Sequence, residues 1–221
     1  MTRAPRLVVI TGLPGAGKSS TARELVKLLK WLNVLVTRIL RFITRPYRDD
    51  EEKGEENLRV SVKWFSRMEK ARKLFHPTHT PDPLHGRSHS RAFPHMGTWR
   101  ARPGTDIMLI VTGPRAALEI LDKRPDASVF FLTAPRDVLV QRIIDRGSLW
   151  GTTYHPKKIH EYDTMYDGLG IEWEYRRRGI PIIDTKLVDT AVAVARRILE
   201  MLGYNPLALK MIDGDSNQSS S

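Results

Sequence analysis

The chain opens on a short β-branched apolar run, residues 6–11, that stops at a glycine, the pattern of a buried strand running into a turn. Residues 19–31 follow with Ala22, Leu25, Val26, Leu28 and Leu29 at helical spacing and no internal Gly or Pro, which predicts a helix. A second β-rich segment at 34–39 comes directly after it, as a parallel crossover requires. Further strands are predicted at 107–112, 128–132 and 180–183, each a short apolar run bounded by Gly, Pro or charge. Segments 115–123, 136–146, 155–177 and 188–202 carry apolar positions three and four apart and read as helices. Strand and helix thus alternate to the end of the fold, which predicts an α/β architecture built on a doubly wound parallel sheet.

Residues 45–105 break the alternation. The stretch is polar, holds most of the histidines and contains Pro77, Pro81, Pro83, Pro94 and Pro103. A structureless loop of that length is uncommon inside a compact domain, so an inserted subdomain with a function of its own is expected there. The expected organisation is a core from 1–44 and 106–204, an insertion at 45–105 and a lid at about 146–160. A tail at 205–221 follows, and its polar end, Asp213 to Ser221 with three closing serines, is expected to be disordered.

At 221 residues the chain is long enough to bury a core without disulfides or structural metal. It has no cysteine, which removes thiolate metal ligands, cysteine nucleophiles and disulfide staples together. No apolar run approaches the roughly 20 residues that span a bilayer, so no membrane partner and a cytoplasmic location are expected. The formal charge of +11 makes anions the natural partners, from nucleotides and sugar phosphates to nucleic acid. Five of the seven histidines fall between His76 and His95, at spacings that match no compact ligand set, so exposed loop histidines are expected rather than a metal centre.

Gly12-Leu13-Pro14-Gly15-Ala16-Gly17-Lys18-Ser19 fits G-x-x-x-x-G-K-[ST], after a predicted strand and before a predicted helix. Its glycines let successive backbone N–H groups turn inward around a phosphate, and the helix aims its positive end at the same anion. Gly12 to Ser20 are the candidate ATP-binding residues, Ser20 included. Lys18 is placed on the β- and γ-phosphate oxygens as a catalytic cation, and the Ser19 hydroxyl is the expected Mg²⁺ ligand.

No guanine-reading N-K-x-D segment is present, so a small-molecule kinase is preferred over a GTPase. In such an enzyme, in-line positioning and charge neutralisation supply most of the rate, so arginines are needed near the acceptor and on a closing lid. Arg45 and Arg48 follow the second predicted strand and are expected at its carboxyl end, the edge where open α/β sheets bind ligands. Arg142 and Arg146 share a helix face that Gly147 is expected to end, and they are the candidate catalytic lid arginines. No acid ends the 107–112 strand, where a second Mg²⁺ contact is commonly found, and Asp106 precedes it. A nucleic-acid-binding protein or polynucleotide kinase is the reading from another class, motivated by the charge and by Arg176-Arg177-Arg178, although no recognition motif accompanies them.

The run from Ile43 to Ser61 resembles, without gaps, the acceptor segment of the guanylate kinase superfamily, T-T-R-P-x-R-x-G-E-x-x-G-x-[DE]-Y-x-F-V-S. Thr44, Arg45, Pro46, Arg48, Glu51, Gly54, Glu56, Val60 and Ser61 match it. The resemblance implies that Arg45 and Arg48 hold the acceptor's phosphate and that Arg142 and Arg146 reach the ATP phosphates. Asn57 replaces the family tyrosine, and Ile110 and Thr112 replace aspartates of the third core strand, which departs from the buried carboxylates that read guanine. The chain is also similar to the ribose 1,5-bisphosphokinases, which use ATP to make phosphoribosyl diphosphate. Arg41-Phe42-Ile43-Thr44-Arg45-Pro46, Gly54-Glu55-Glu56-Asn57 and Val111-Thr112-Gly113-Pro114-Arg115-Ala116 carry that likeness. Arg45, Arg48, Asn57 and His85 are therefore the candidate acceptor contacts. The expected reaction is transfer of the γ-phosphate of Mg-ATP to a phosphorylated acceptor. A nucleoside monophosphate such as GMP ranks slightly ahead of ribose 1,5-bisphosphate. The oligomeric state is open.

Overall fold

The computed structural model describes residues 4–47, 53–82, 87–149, 168–187 and 190–205. β1 (Arg6–Gly12) is buried from Leu7 onward, and its β-branched, two-sided apolar character is that of a strand covered on both faces. It pairs in parallel with β7 (Ile107–Val111) on one side and β8 (Ser128–Thr133) on the other. β2 (Val36–Arg38) adds to β7 and β9 (Ile182–Asp184) adds to β8, both in parallel, giving the order β2-β7-β1-β8-β9. The first crossover therefore skips a position, leaving β1 at the centre of the sheet.

Helices α1 (Lys18–Trp31), α3 (Pro114–Lys123), α4 (Arg136–Leu149), α5 (Gly168–Arg177) and α6 (Ala191–Met201) accompany this sheet. α1 buries Thr21, Ala22, Leu25, Leu28 and Leu29 along one face and packs beside α6, which buries Val194, Ala195, Ile198 and Leu199. Buried Tyr175 on α5 lies against Phe131, their ring centroids 4.3 Å apart, and its phenol donates to the Pro114 carbonyl. The predicted α/β doubly wound parallel sheet is thus present.

A second sheet, ordered β4-β3-β6-β5, is built from β3 (Arg41–Ile43), β4 (Asn57–Arg59), β5 (Leu74–Asp82) and β6 (Arg87–Pro94). β3 and β4 are parallel, whereas β6 runs antiparallel to both β3 and β5. This sheet opens before residue 45: the segment read as one strand at 34–39 yields β2 in the core and, two residues on, β3 in the second sheet. Prolines 77 and 81 sit on β5, an edge strand with no partner on its far side among the described residues, which is where a residue lacking an N–H is tolerated. The β5–β6 register shifts between Phe75 and Thr78, beside Pro77 and the positive-φ residue His76.

α2 (Val62–Lys70) starts from Ser61, whose hydroxyl accepts the Trp64 N–H, and it covers the sheet with Phe65, packed with Leu74 and Ala92. At the other end, Phe75, Phe93 and Trp99 belong to the main core, Phe75 meeting Trp99 edge-on with centroids 6.0 Å apart. The two sheets therefore share one continuous apolar interior there. His76 Nδ1 lies 2.9 Å from Glu119 Oε2 on α3 and adds a polar tie at the same end.

Candidate functional site

The loop between β1 and α1 lies at the carboxyl end of the central strand. Gly12 takes φ 146°, and a Cβ there would run into the backbone carbonyl of Leu132 on β8, so only glycine fits the approach. Gly15 takes φ 81° and faces the α4 backbone at Leu139, which leaves no room for a side chain either. Leu13 and Ala16 are buried and anchor the loop, Pro14 is half-buried, and Gly17 enters α1 in the left-handed region at φ 77°. Lys18 Nζ folds back over the loop and donates to the Leu13 carbonyl at 2.8 Å. Ser19 is half-buried and Ser20 exposed at the start of the helix.

Two walls flank this loop. On the α4 side, Arg142 donates to Thr185 Oγ1 at 2.9 Å and to the Thr185 carbonyl at 3.1 Å, and reaches the Gly15 carbonyl at 3.4 Å. Thr185 itself is buried and bonds the Thr133 carbonyl, so Arg142 ties the ends of β8 and β9 to the phosphate loop. A surface hollow lined by Asp137, Val138, Gln141 and Arg142 opens on this wall. The expectation that Gly147 ends the helix is corrected: α4 continues to Leu149. A glycine inside a helix lowers its stability without stopping it when neighbouring turns carry the hydrogen bonds. Arg146 lies on α4, but its side chain and the greater part of the expected lid fall outside the described residues.

The opposite wall comes from the second sheet. Glu55 accepts from Arg23 on α1 through two hydrogen bonds of 3.1 Å and stands 3.3 Å from Arg38 on β2. Arg38 also donates to the Glu55 carbonyl at 2.9 Å. The Arg23 hydrogen bonds and the positive charge of both guanidiniums outweigh burial and hold the Glu55 carboxyl below its ordinary value of 4.5. With its neighbour fixed in this way, Glu56 reaches Ser19: the hydroxyl donates to Glu56 Oε2 at 3.0 Å. Glu56, Glu55, Arg23 and Arg38 are site-edge residues to which the sequence reading gave no role at the site, although Glu55 and Glu56 fall in segments that carry the family likeness. The available signal was the paired acid of Gly54-Glu55-Glu56-Asn57 beside a glycine.

Among the candidate acceptor contacts, Arg45 is half-buried and donates to the Pro46 carbonyl at 2.8 Å. It leaves the end of β3 in the second sheet, which corrects the expectation that it emerges from the second core strand. The reason is local: β2 lasts three residues, and the chain re-pairs with β4 and β6 before reaching Arg45. Asn57 is 3% exposed, and its Oδ1 accepts from Arg41 Nε at 3.0 Å, so it joins β4 to β3 from inside the sheet. Tyr47 reaches the same strand, its phenol accepting the Arg59 N–H at 3.0 Å. Arg48 and His85 lie outside the described residues.

The acids that border the core strands serve backbone contacts. Asp106 accepts the Leu35 N–H and Asp184 the Lys186 N–H. No group of three His, Cys, Asp or Glu side chains with metal-binding geometry occurs among the described residues. The triple arginine is engaged in ion pairs: Arg176 with Glu172, Arg177 with Glu174, and Arg178 with both Glu174 and Asp122. No helix among the described residues is long and apolar enough to cross a membrane.

A family model described as an AAA domain matches residues 8–164, a span that runs from β1 past the end of α4. No curated protein matches the chain. Among solved structures, guanylate kinase from Anaplasma phagocytophilum matches with a TM-score of 0.50 at 15% identity, over 90% of this chain and 84% of that one. At that identity the likeness is one of fold. The phosphate loop, the parallel order around β1 and a family match over most of the length agree, and the chain belongs to the AAA domain family, with a guanylate kinase-like P-loop fold.

Proposed function

We propose that the protein is an ATP-dependent small-molecule kinase that moves the γ-phosphate of Mg-ATP onto a phosphorylated acceptor, with a nucleoside monophosphate of the GMP type as the first choice. The observation that carries this reading is the cradle at Gly12 and Gly15, where side chains are sterically excluded, with Lys18 and Ser19 at the mouth of α1. Such a cradle suits a triphosphate tail: inward N–H groups and a helix N-terminus favour an anion, the ammonium follows the β/γ oxygens, and the hydroxyl suits a hard divalent cation. Gly12 to Ser20 would hold the nucleotide, and Ser19 would hold Mg²⁺. Bound Mg-ATP would supply a γ-phosphoryl group that passes in line to an acceptor oxygen while the β,γ-bridging bond breaks and ADP leaves.

The chain's own residues then have positional tasks. Lys18 offsets negative charge over the loop, and Arg142, braced on Thr185, presents a second cation on the α4 side. Arg146 is placed one turn further along α4 and shares this assignment. Arg45, Arg48, Asn57 and His85 remain the proposed acceptor contacts, with the two arginines on the acceptor's phosphate.

Ribose 1,5-bisphosphate is the second reading, favoured by one contact. Arg41 opens the Arg-Phe-Ile-Thr-Arg-Pro run and Asn57 closes the Gly-Glu-Glu-Asn run, and the two are hydrogen-bonded at 3.0 Å. Two of the three segments that carry the sugar-phosphate likeness thus meet.

The test is a phosphate-transfer assay with Mg-ATP against GMP, the other nucleoside monophosphates, ribose 1,5-bisphosphate and a 5′-hydroxyl oligonucleotide. Transfer to GMP or another nucleoside monophosphate supports the first reading, and transfer to the bisphosphate alone selects the second. Phosphorylation of the oligonucleotide alone, or no binding of Mg-ATP, would overturn both.

A further inference from the structure

P-loop proteins commonly hold Mg²⁺ between the loop hydroxyl and an acid at the end of a neighbouring core strand. In this chain that position carries no acid. β7, the neighbour of β1 on the α1 side, ends in Val111 and runs on to Thr112, which is buried and whose N–H bonds the Ile10 carbonyl. Asp106 lies at the opposite end of β7, bonded to Leu35 N, and Asp184 at the end of β9 is bonded to Lys186 N. Yet the Ser19 hydroxyl does face a carboxylate. It is Glu56, which approaches from the second sheet at 3.0 Å, 37 positions away along the chain.

We propose that Glu56 is the acidic member of the magnesium shell of this site, taking over from the second sheet the task that a core-strand acid performs elsewhere. The inference rests on the ATP-binding reading given above.

Its geometry argues for a placed carboxylate rather than a chance contact. The Glu55 carbonyl is held by Arg38, and the Glu56 carbonyl accepts the Arg41 N–H at 2.9 Å. The next side chain, Asn57, is buried and bonded to Arg41. Glu55 is clamped between Arg23 and Arg38, so the acid directly beside Glu56 is neutralised by its own partners. Backbone and neighbours on both sides thus fix where Glu56 stands, and among the described residues its carboxylate meets the expected metal ligand. Hydroxyl and carboxylate oxygens are the donor set that a hard divalent cation takes, directly or through a bound water.

Without a cation, a carboxylate beside the phosphate loop repels the nucleotide's phosphates; with one, it completes the shell. Glu56→Gln therefore weakens metal-loaded binding without weakening metal-free binding, which a merely structural residue does not do. Binding of a fluorescent ATP analogue is measured by titration in excess EDTA and in excess Mg²⁺, and Mn²⁺ affinity in the presence of ATP by electron paramagnetic resonance. For Glu56→Gln, metal-free affinity is expected to hold or rise a few-fold, while Mn²⁺ affinity and the gain in nucleotide affinity from Mg²⁺ fall roughly 10- to 100-fold.

Equal loss with and without metal, or a Mn²⁺ affinity matching wild type, would overturn the assignment while leaving the phosphate loop standing. If the wild-type protein takes no ATP in either condition, the phosphate-loop reading itself fails and this one with it. A measurement on the wild-type chain guards against a variant that does not fold. Mn²⁺ added with ATP should broaden the amide signals of Gly54 to Asn57, and sharp signals there would overturn the proposal.

Discussion

Gly12 is the position where the least change does the most harm. At φ 146°, against the Leu132 carbonyl, an added methyl meets both an unfavourable backbone region and a main-chain atom that cannot rotate away. The backbone contributes about 1–2 kcal/mol and overpacking about 1–3 kcal/mol, so Gly12→Ala should lower the melting temperature by roughly 5–15 °C for a chain of this size. An unchanged melting curve would mean that β8 yields freely. Lys18→Ala makes the opposite kind of change. Its ammonium lies over the anion cradle and donates to the Leu13 carbonyl, so phosphoryl transfer should fall at least about 100-fold with a melting temperature closer to wild type than that of Gly12→Ala. For Arg45→Ala, the loss of a charge-assisted contact should raise the acceptor KM about ten- to a hundredfold and leave the ATP KM nearly unchanged. Equal effects on both substrates would refute its placement on the acceptor.

Among the elements, the turn that leads into β4 is held in place by charge. Glu55 has a depressed carboxyl pKa because Arg23 and then Arg38 favour its ionised form. The sign follows: its contribution is fully present above the ordinary value of 4.5 and is lost as pH falls through the lower folded value. The stability advantage of wild type over Glu55→Gln should therefore stay flat from neutral pH down to about 4.5 and shrink only below it. A difference that vanished at pH 6 would point to another group.

The elements also differ in how far the chain announced them. β1, β7 and β8 were legible because strands buried on both faces are unbroken apolar runs, and the phosphate loop because eight contiguous residues carry its chemistry. β3 and β4 span three residues each, too short for an alternation to register, and the prolines of β5 read as loop until an edge position accommodates them. Glu56 was invisible as a partner of Ser19 because the contact joins two sheets. Only the fold brings such distant positions together.

At the scale of the whole molecule, the apolar interior is continuous between the sheets. Phe75, on the second sheet, is 4% exposed and belongs to the same cluster as Val9 and Phe130 of the core. Phe75→Ala should cost about 3–5 kcal/mol and shift one cooperative unfolding transition, monitored by heat or denaturant. Two separate transitions in the wild-type protein would show that the second sheet is a unit of its own. The +11 charge acts at this scale too, yet Arg176, Arg177 and Arg178 are matched by acids on α5 and α3, so they do not form a bare basic stripe.

The second sheet is fastened unequally along its two margins. Beside β5 the fastening is aromatic, through Phe75, Phe93 and Trp99, and exposing those rings to water is expensive. Beside β4 it is made of Arg23, Arg38 and a serine hydroxyl, contacts that solvent replaces readily and dissolved ions weaken. A swing of the second sheet would therefore hang from the aromatic margin like a door from its jamb and gape at the margin nearest Ser19, and added salt would be expected to loosen that margin first.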